Sequence, residues 1–148
     1  MDDQSDCLTL DEQLCFALYS TMHAVGRAYA PILEPLGLTY PQYAVMLVLW
    51  ERDDLAVREL GTRLHLDSGT LTPLLKRMET AGLVNRTRSQ EDQRVVRITL
   101  TPIGSAMRDE ARHIPARVSC AMGRDRPDLV ALRDDVLKLR NSLRANVN

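Results

Sequence analysis

The change of period at Gly82 restricts the fold more than any other feature of the chain. Up to that point "DSGTLTPLLKRMETAG" repeats apolar residues at helical spacing, opens with Asp67 and Ser68 as capping candidates, and stops on glycine. Beyond it, "LVNRTR" and "RVVRITL" are β-branched and partly alternating, joined by the polar "SQEDQ". That pattern predicts a hairpin with a longer loop. Pro73 lies slightly too deep in the helix for a free first turn, so a local adjustment is expected there.

The flanks are helical. Leu14, Leu18, Thr21, Val25 and Ala28 predict a helix over about 11–30, bent or ended by Pro31 and Pro35 and closed by "GL" at 37–38. Thr39 reads as the N-cap of a second helix, "YPQYAVMLVLW", with Pro41 in its first turn and a body apolar enough to be buried on most sides. "DLAVRELGTRLHL" gives a short third helix with Val57, Leu60 and Leu64 inward. After the hairpin, Thr101-Pro102 starts "PIGSAMRDEARHIPARVSCAM", interrupted at Pro115. A final helix carries the seam Leu129, Leu132, Val136, Leu139 and Leu143. A short helix, a tight turn, a second helix and a β-hairpin form the layout of a winged helix-turn-helix. The fold class expected is therefore mainly α with a small β-hairpin wing, and the terminal helices serve dimerisation.

The 148 residues suit one compact unit, read as an N-terminal dimerisation and sensing helix (1–38), a winged helix-turn-helix (39–100) and C-terminal dimerisation helices (101–148). The acidic start "MDDQSD" has no secretory pattern, and the longest apolar run, 43–50, falls short of the roughly 20 residues a membrane span needs. Three cysteines, an odd number, fit thiols in a reducing cytoplasm better than a disulfide framework. Charge is unevenly shared. Residues 1–54 hold two basic side chains against nine acidic, whereas 55–99 hold eight against five. The middle of the chain thus either meets a polyanion or presents an ordinary solvated basic face.

"ELGTRLHLDSGTLTPLLKRMETAGLVNRTRSQEDQRVVRITLTPIG", residues 59–104, resembles the MarR family of dimeric transcription regulators in its reader helix, its wing and its D-x-R signature. Within that family "LDEQLCFALYS", Tyr29, "LTYPQYAVMLVLWE" and Cys120 resemble the organic hydroperoxide regulators of the two-cysteine type. The resemblance implies a homodimer, a pseudo-palindromic double-stranded DNA operator, an organic hydroperoxide as effector, and repression rather than enzymatic turnover.

The fourth helix is the expected reader, because N-terminal side chains of a groove-lying helix reach base edges and phosphates. Ser68, Thr70 and Thr72 are short hydroxyl donors suited to close approach, and Lys76 and Arg77 reach flanking phosphates or a guanine edge. The plain alternative is a capped amphipathic helix with solvated charges. Arg94 at the wing tip resembles the family's minor-groove arginine. Asp92 orients it, and Arg86 and Arg88 are phosphate partners; the alternative for Asp92 and Arg94 is a surface ion pair.

Cys15 lies in or just beyond the first turn of its helix, where the helix dipole favours a thiolate. No cation is nearby in sequence and Asp11 and Glu12 oppose ionisation, so donors must come from elsewhere. Tyr19, four residues on, shares the thiol's face. Tyr29 is about 21 Å away along a straight helix and could meet Cys15 only across a two-fold axis. By resemblance, Tyr29 and Tyr40 serve the partner's cysteine, Cys15 is the peroxidatic thiol, and Cys120 is the resolving thiol of the other subunit. Core packing is the alternative for each tyrosine, and the expectation for Tyr43. Phe16, Met22 and Trp50 are candidates for an apolar wall around the thiol or for plain core, and Cys7 reads as a spare thiol.

His23, His65 and His113 show no metal-ligand spacing, and no phosphate loop or cofactor motif is present. Two rivals stay open: a MarR-type regulator answering a small aromatic ligand, and a thiol peroxidase.

Overall fold

The computed structural model describes residues 8–147; Cys7 lies outside them. A 3-10 turn at Leu10–Glu12 leads into α1 (Leu14–Leu33), and a second such turn, Glu34–Leu36, closes it on Gly37 in the left-handed region. Pro31 falls in the last turn of α1 and does not end the helix, which runs to Leu33. The helix α2 (Tyr40–Glu51) begins as expected at Thr39, whose amide donates to the Gln42 side chain at 2.9 Å.

The segment Leu55–Ala56 is a two-residue strand, β1, ahead of α3 (Val57–Leu64) and α4 (Ser68–Thr80). A helix from Asp54 onward was expected, so β1 is a correction. Its Leu55 pairs with Ile98 and Ala56 with Arg97. The turn before it is fixed by the Asp53 carboxylate, which accepts from the amides of Asp54 and Leu100 at 2.8 and 2.9 Å. The expected hairpin follows as β2 (Val84–Arg88) and β3 (Val96–Leu100), and the sheet order is β1-β3-β2, all antiparallel. The helix α4 is continuous across Pro73, so the expected local adjustment leaves no break.

The turn between α3 and α4 is close-packed. His65 takes a left-handed conformation (φ 55°), Leu66 N–H donates to Gly61 O at 3.0 Å, and a Cβ on Gly61 would lie 2.8 Å from Leu66 O. Glycine is the residue that permits this approach.

The break expected at Pro115 falls two residues earlier. The helix α5 (Pro102–Ala111) ends before Arg112, and α6 (Ile114–Met122) carries Pro115 in its first turn, where a missing N–H is tolerated. Then α7 (Arg126–Asn146) starts at Asp125, which caps Asp128 N–H at 2.9 Å.

The chain forms two compact units, divided between Arg112 and His113. The first holds a core of Leu33, Val45, Met46, Leu49, Leu60, Leu71, Leu75, Met78 and Ile98, all essentially sealed from solvent. Burying such side chains contributes about 1.5–3 kcal/mol each. In the same unit, α5 packs on α2 and β3. In the second, Ile114 and Val118 of α6 are buried, and no residue of α7 is. No single helix among the described residues is long and apolar enough to cross a membrane.

Candidate nucleic-acid interface and thiol site

The reader helix owes its orientation to its apolar face. Leu71, Leu74, Leu75 and Met78 of α4 are buried, which leaves Ser68, Thr70, Lys76 and Arg77 exposed and Thr72 half-buried. Its start is capped by Asp67, whose carboxylate accepts from Thr70 N–H at 2.7 Å. Hydrogen bonds from the Thr70 amide and hydroxyl hold the Asp67 carboxyl below the ordinary carboxylate range.

The wing loop is closed by backbone bonds from Ser89 N–H to Val95 O at 2.8 Å and from Val95 N–H to Asp92 O at 2.9 Å. Asp92 Oδ1 accepts from the Arg94 amide at 3.0 Å and from Arg94 Nε at 3.2 Å, which depresses the Asp92 pKa. The Arg94 side chain is 91% exposed, so this pair points a guanidinium into solvent from a rigid loop. Arg88 donates to Gln93 O at 3.1 Å. Arg86 is half-buried and turns toward Glu79 of α4, with its Nη1 3.5 Å from Glu79 Oε2.

Reader and wing are braced by β3. Arg97 donates to the Asp54 carboxylate at 2.7 Å and also to the Asp54 carbonyl. A basic, exposed edge therefore sits on a stiff base, the arrangement that duplex DNA requires.

Cys15 is the second residue of α1 and exposed. Gln13, in the cap position, donates its side-chain amide to Thr9 O and makes no capping bond to the helix, and no acidic residue lies in the first turn. The amides of that turn thus have no side-chain acceptor at the cap position. Tyr19 is 62% exposed, its ring edge-on to His23 at 4.4 Å.

Fourteen residues along, Tyr29 meets Tyr40 edge-on with ring centroids 4.8 Å apart, and Tyr43 completes a triad at 6.0 and 6.5 Å. Burial, then the proximity of Tyr40 and Tyr43, pushes the Tyr29 phenol up to about 12, and burial raises Tyr43 in the same direction. Tyr29 and Tyr40 border a concavity of about 720 Å³ with Gly26, Leu38 and Thr39. Cys120 is exposed near the end of α6.

The family model for the transcriptional regulator SarA/Rot matches residues 27–111, which include the reader and the wing. The chain is 42% identical over 143 residues to the organic hydroperoxide resistance transcriptional regulator of Bacillus subtilis, covering 97% of each. It is 47% identical over 142 residues to the transcriptional regulator TtmR of Methylorubrum extorquens, covering 96% of this chain and 73% of that one. It superposes on reduced AbfR of Staphylococcus epidermidis bound to DNA with a TM-score of 0.83 at 32% identity, over 94% and 95% of the two chains.

The chain belongs to the MarR/SarA-type DNA-binding transcriptional regulators.

In this regulator the expected DNA-facing residues fall on two elements. Ser68, Thr70, Thr72, Lys76 and Arg77 lie on α4, and Arg86, Arg88, Asp92 and Arg94 lie on the wing. Tyr29 and Tyr40 come together, while Tyr19 stands apart from them on α1, beside His23. Trp50, a candidate wall residue, donates its indole N–H to Gly104 O at 2.9 Å and so serves the packing of α2 on α5. Phe16 and Met22 remain exposed on α1. Sequence reading missed the place of Tyr43 beside Tyr29 and Tyr40. Its spacing of three from Tyr40 on α2 was the available signal.

Proposed function

We propose that this regulator is a dimeric repressor that leaves its operator when Cys15 is oxidised by an organic hydroperoxide. The observation that carries the reading is the arrangement of α1. It is one continuous helix with an exposed thiol near its start and Tyr29, paired with Tyr40 of α2, near its end. Along the helix Cys15 and Tyr29 are about 21 Å apart, so Tyr29 can reach a thiolate only in a second copy. Two α1 helices running antiparallel would set each Cys15 against the other chain's Tyr29 and Tyr40. Leu14, Phe16 and Met22, exposed on α1, and Leu132, Val136 and Leu143, exposed on α7, are apolar surface that a partner would cover.

In the chemistry, the Cys15 thiolate attacks the terminal oxygen of the peroxide. The O–O bond breaks, the alkoxide leaves and takes a proton as alcohol, and sulfur becomes a sulfenic acid. Tyr29, whose pKa is raised, stays protonated and donates to the thiolate and the leaving oxygen. The Cys120 thiol of the partner then attacks the sulfenic sulfur, forming the disulfide and releasing water. The bond demands a Cα separation of about 4.4–6.8 Å, which moves the helices carrying the two cysteines and resets the spacing of the readers. That the Bacillus subtilis relative is named for organic hydroperoxide resistance supports the effector; both reduced and overoxidized AbfR are bound to DNA, so the release proposed here is ascribed to the disulfide and not to oxidation of sulfur alone.

Operator binding tests this with wild type, Cys15→Ser and Cys120→Ser, each with and without cumene hydroperoxide. Wild type should be released and Cys15→Ser should stay bound. Cys120→Ser should form the sulfenic acid but no crosslinked dimer on a non-reducing gel. A peroxide response retained in Cys15→Ser refutes the mechanism. The concavity beside Tyr29 and Tyr40 favours one rival, a phenolic effector; release by a phenolic acid in the presence of reductant would establish it.

A further inference from the structure

Between α3, α4 and the wing lies a second concavity, of about 580 Å³, lined by Arg58, Ser68, Thr72, Arg86 and Arg94 together with apolar and glycine positions. No carboxylate lines it. Its three guanidiniums differ in how far they are committed. Arg94 is held by Asp92. Arg86 has only the 3.5 Å contact with Glu79, and its Nε is buried without a hydrogen-bond partner among the described residues. Arg58, on the exposed first turn of α3, forms no ion pair among the described residues. Two cations without a firm counter-charge, next to two short hydroxyls, are an incomplete electrostatic arrangement.

We propose that Arg58 and Arg86 together seat one backbone phosphate of the bound duplex, on the strand that passes between the groove read by α4 and the groove entered by the wing. The charge calls for an anion, and the position selects which one. The concavity opens between the two elements that straddle the DNA, so a phosphate is brought to it whenever both engage. A guanidinium matches two phosphate oxygens with parallel N–H donors, and the Ser68 and Thr72 hydroxyls supply further donors at short reach. Arg58 thereby brings α3, which is neither reader nor wing, into the contact surface. The proposal rests on DNA binding alone and not on peroxide chemistry, so it stands or falls separately from the thiol mechanism.

Full-length wild type, Arg58→Gln and Arg58→Lys are compared on an operator selected from random duplexes, with affinity measured between about 50 and 200 mM salt. Arg58→Gln should make the slope of log affinity against log salt shallower by about 0.9 per protomer, one fewer phosphate contact. It should weaken operator and scrambled duplex by similar factors, since a phosphate carries no base information. Arg58→Lys should restore the slope but less of the affinity, because an ammonium cannot make the paired bond. The thermal midpoint should not change, as the side chain is exposed. A wild-type slope in Arg58→Gln overturns the proposal. So does a variant that binds DNA normally but no longer responds to benzoate that displaces the wild type, an outcome that would assign the concavity to a small carboxylate.

Discussion

Tyr29 is a residue whose environment fixes a protonation state. Half-buried against two other phenols, it has a pKa of about 12, above the ordinary phenol value near 10. The sign follows from linkage. The folded state holds this proton more tightly than the unfolded state, so the stabilisation is complete below pH 10 and is lost as the pH rises through about 12. Urea midpoints should therefore fall between pH 10 and 12, and tyrosinate absorbance of the native protein should show a late-titrating phenol that Tyr29→Phe removes. A native titration indistinguishable from that of free tyrosine would contradict the assignment. Tyr29 and Tyr40 were legible from motif resemblance. Tyr43 is buried, as expected of core, but its place beside them was not legible, because a buried aromatic in an apolar run looks like core whatever its ring touches.

At the scale of elements, the firmest constraint is the approach of α5 to the start of β2. A Cβ on Gly104 would lie 2.2 Å from the Leu83 carbonyl oxygen, a contact with backbone that no rotamer relieves. Thr101 adds a hydroxyl bond to Gly82 O at 2.6 Å, and Trp50 closes the other side. Gly104→Ala should destabilise the protein by about 1–3 kcal/mol, read as a lower urea midpoint at unchanged slope. Helix periods, caps and the hairpin were all legible, because each spans enough residues to show its period. The strand β1 is two residues long, too short for alternation to appear, and a helix follows it directly. Pro115 misled for a different reason: the chain uses it to start α6, where its fixed φ helps, and the break precedes it.

For the whole molecule, α7 sets the question of assembly. Its 21 residues include none that is buried, while Leu132 and Leu143 are about half exposed. Most of the stability of a helix in a protein comes from packing its apolar face. Leu132→Asp combined with Leu143→Asp should shift sedimentation equilibrium from dimer to monomer and lower the helical circular dichroism; a dimer of unchanged affinity would remove α7 from the interface. The uneven charge, acidic over 1–54 and basic over 55–99, left a polyanion-facing middle and a solvated basic face equally open, and only three-dimensional proximity could single out Arg58 from the other arginines. The central strand β3 is hydrogen-bonded to β1 on one side and β2 on the other, and Arg97 ties it to the turn before α3. Wing and reader are joined more directly by the contact of Arg86 on β2 with Glu79 on α4. On the proposed thiol mechanism, a signal from α1 swings each reader and wing together, so an isolated half-site should be blind to oxidation and the geometry of the pair should carry the message.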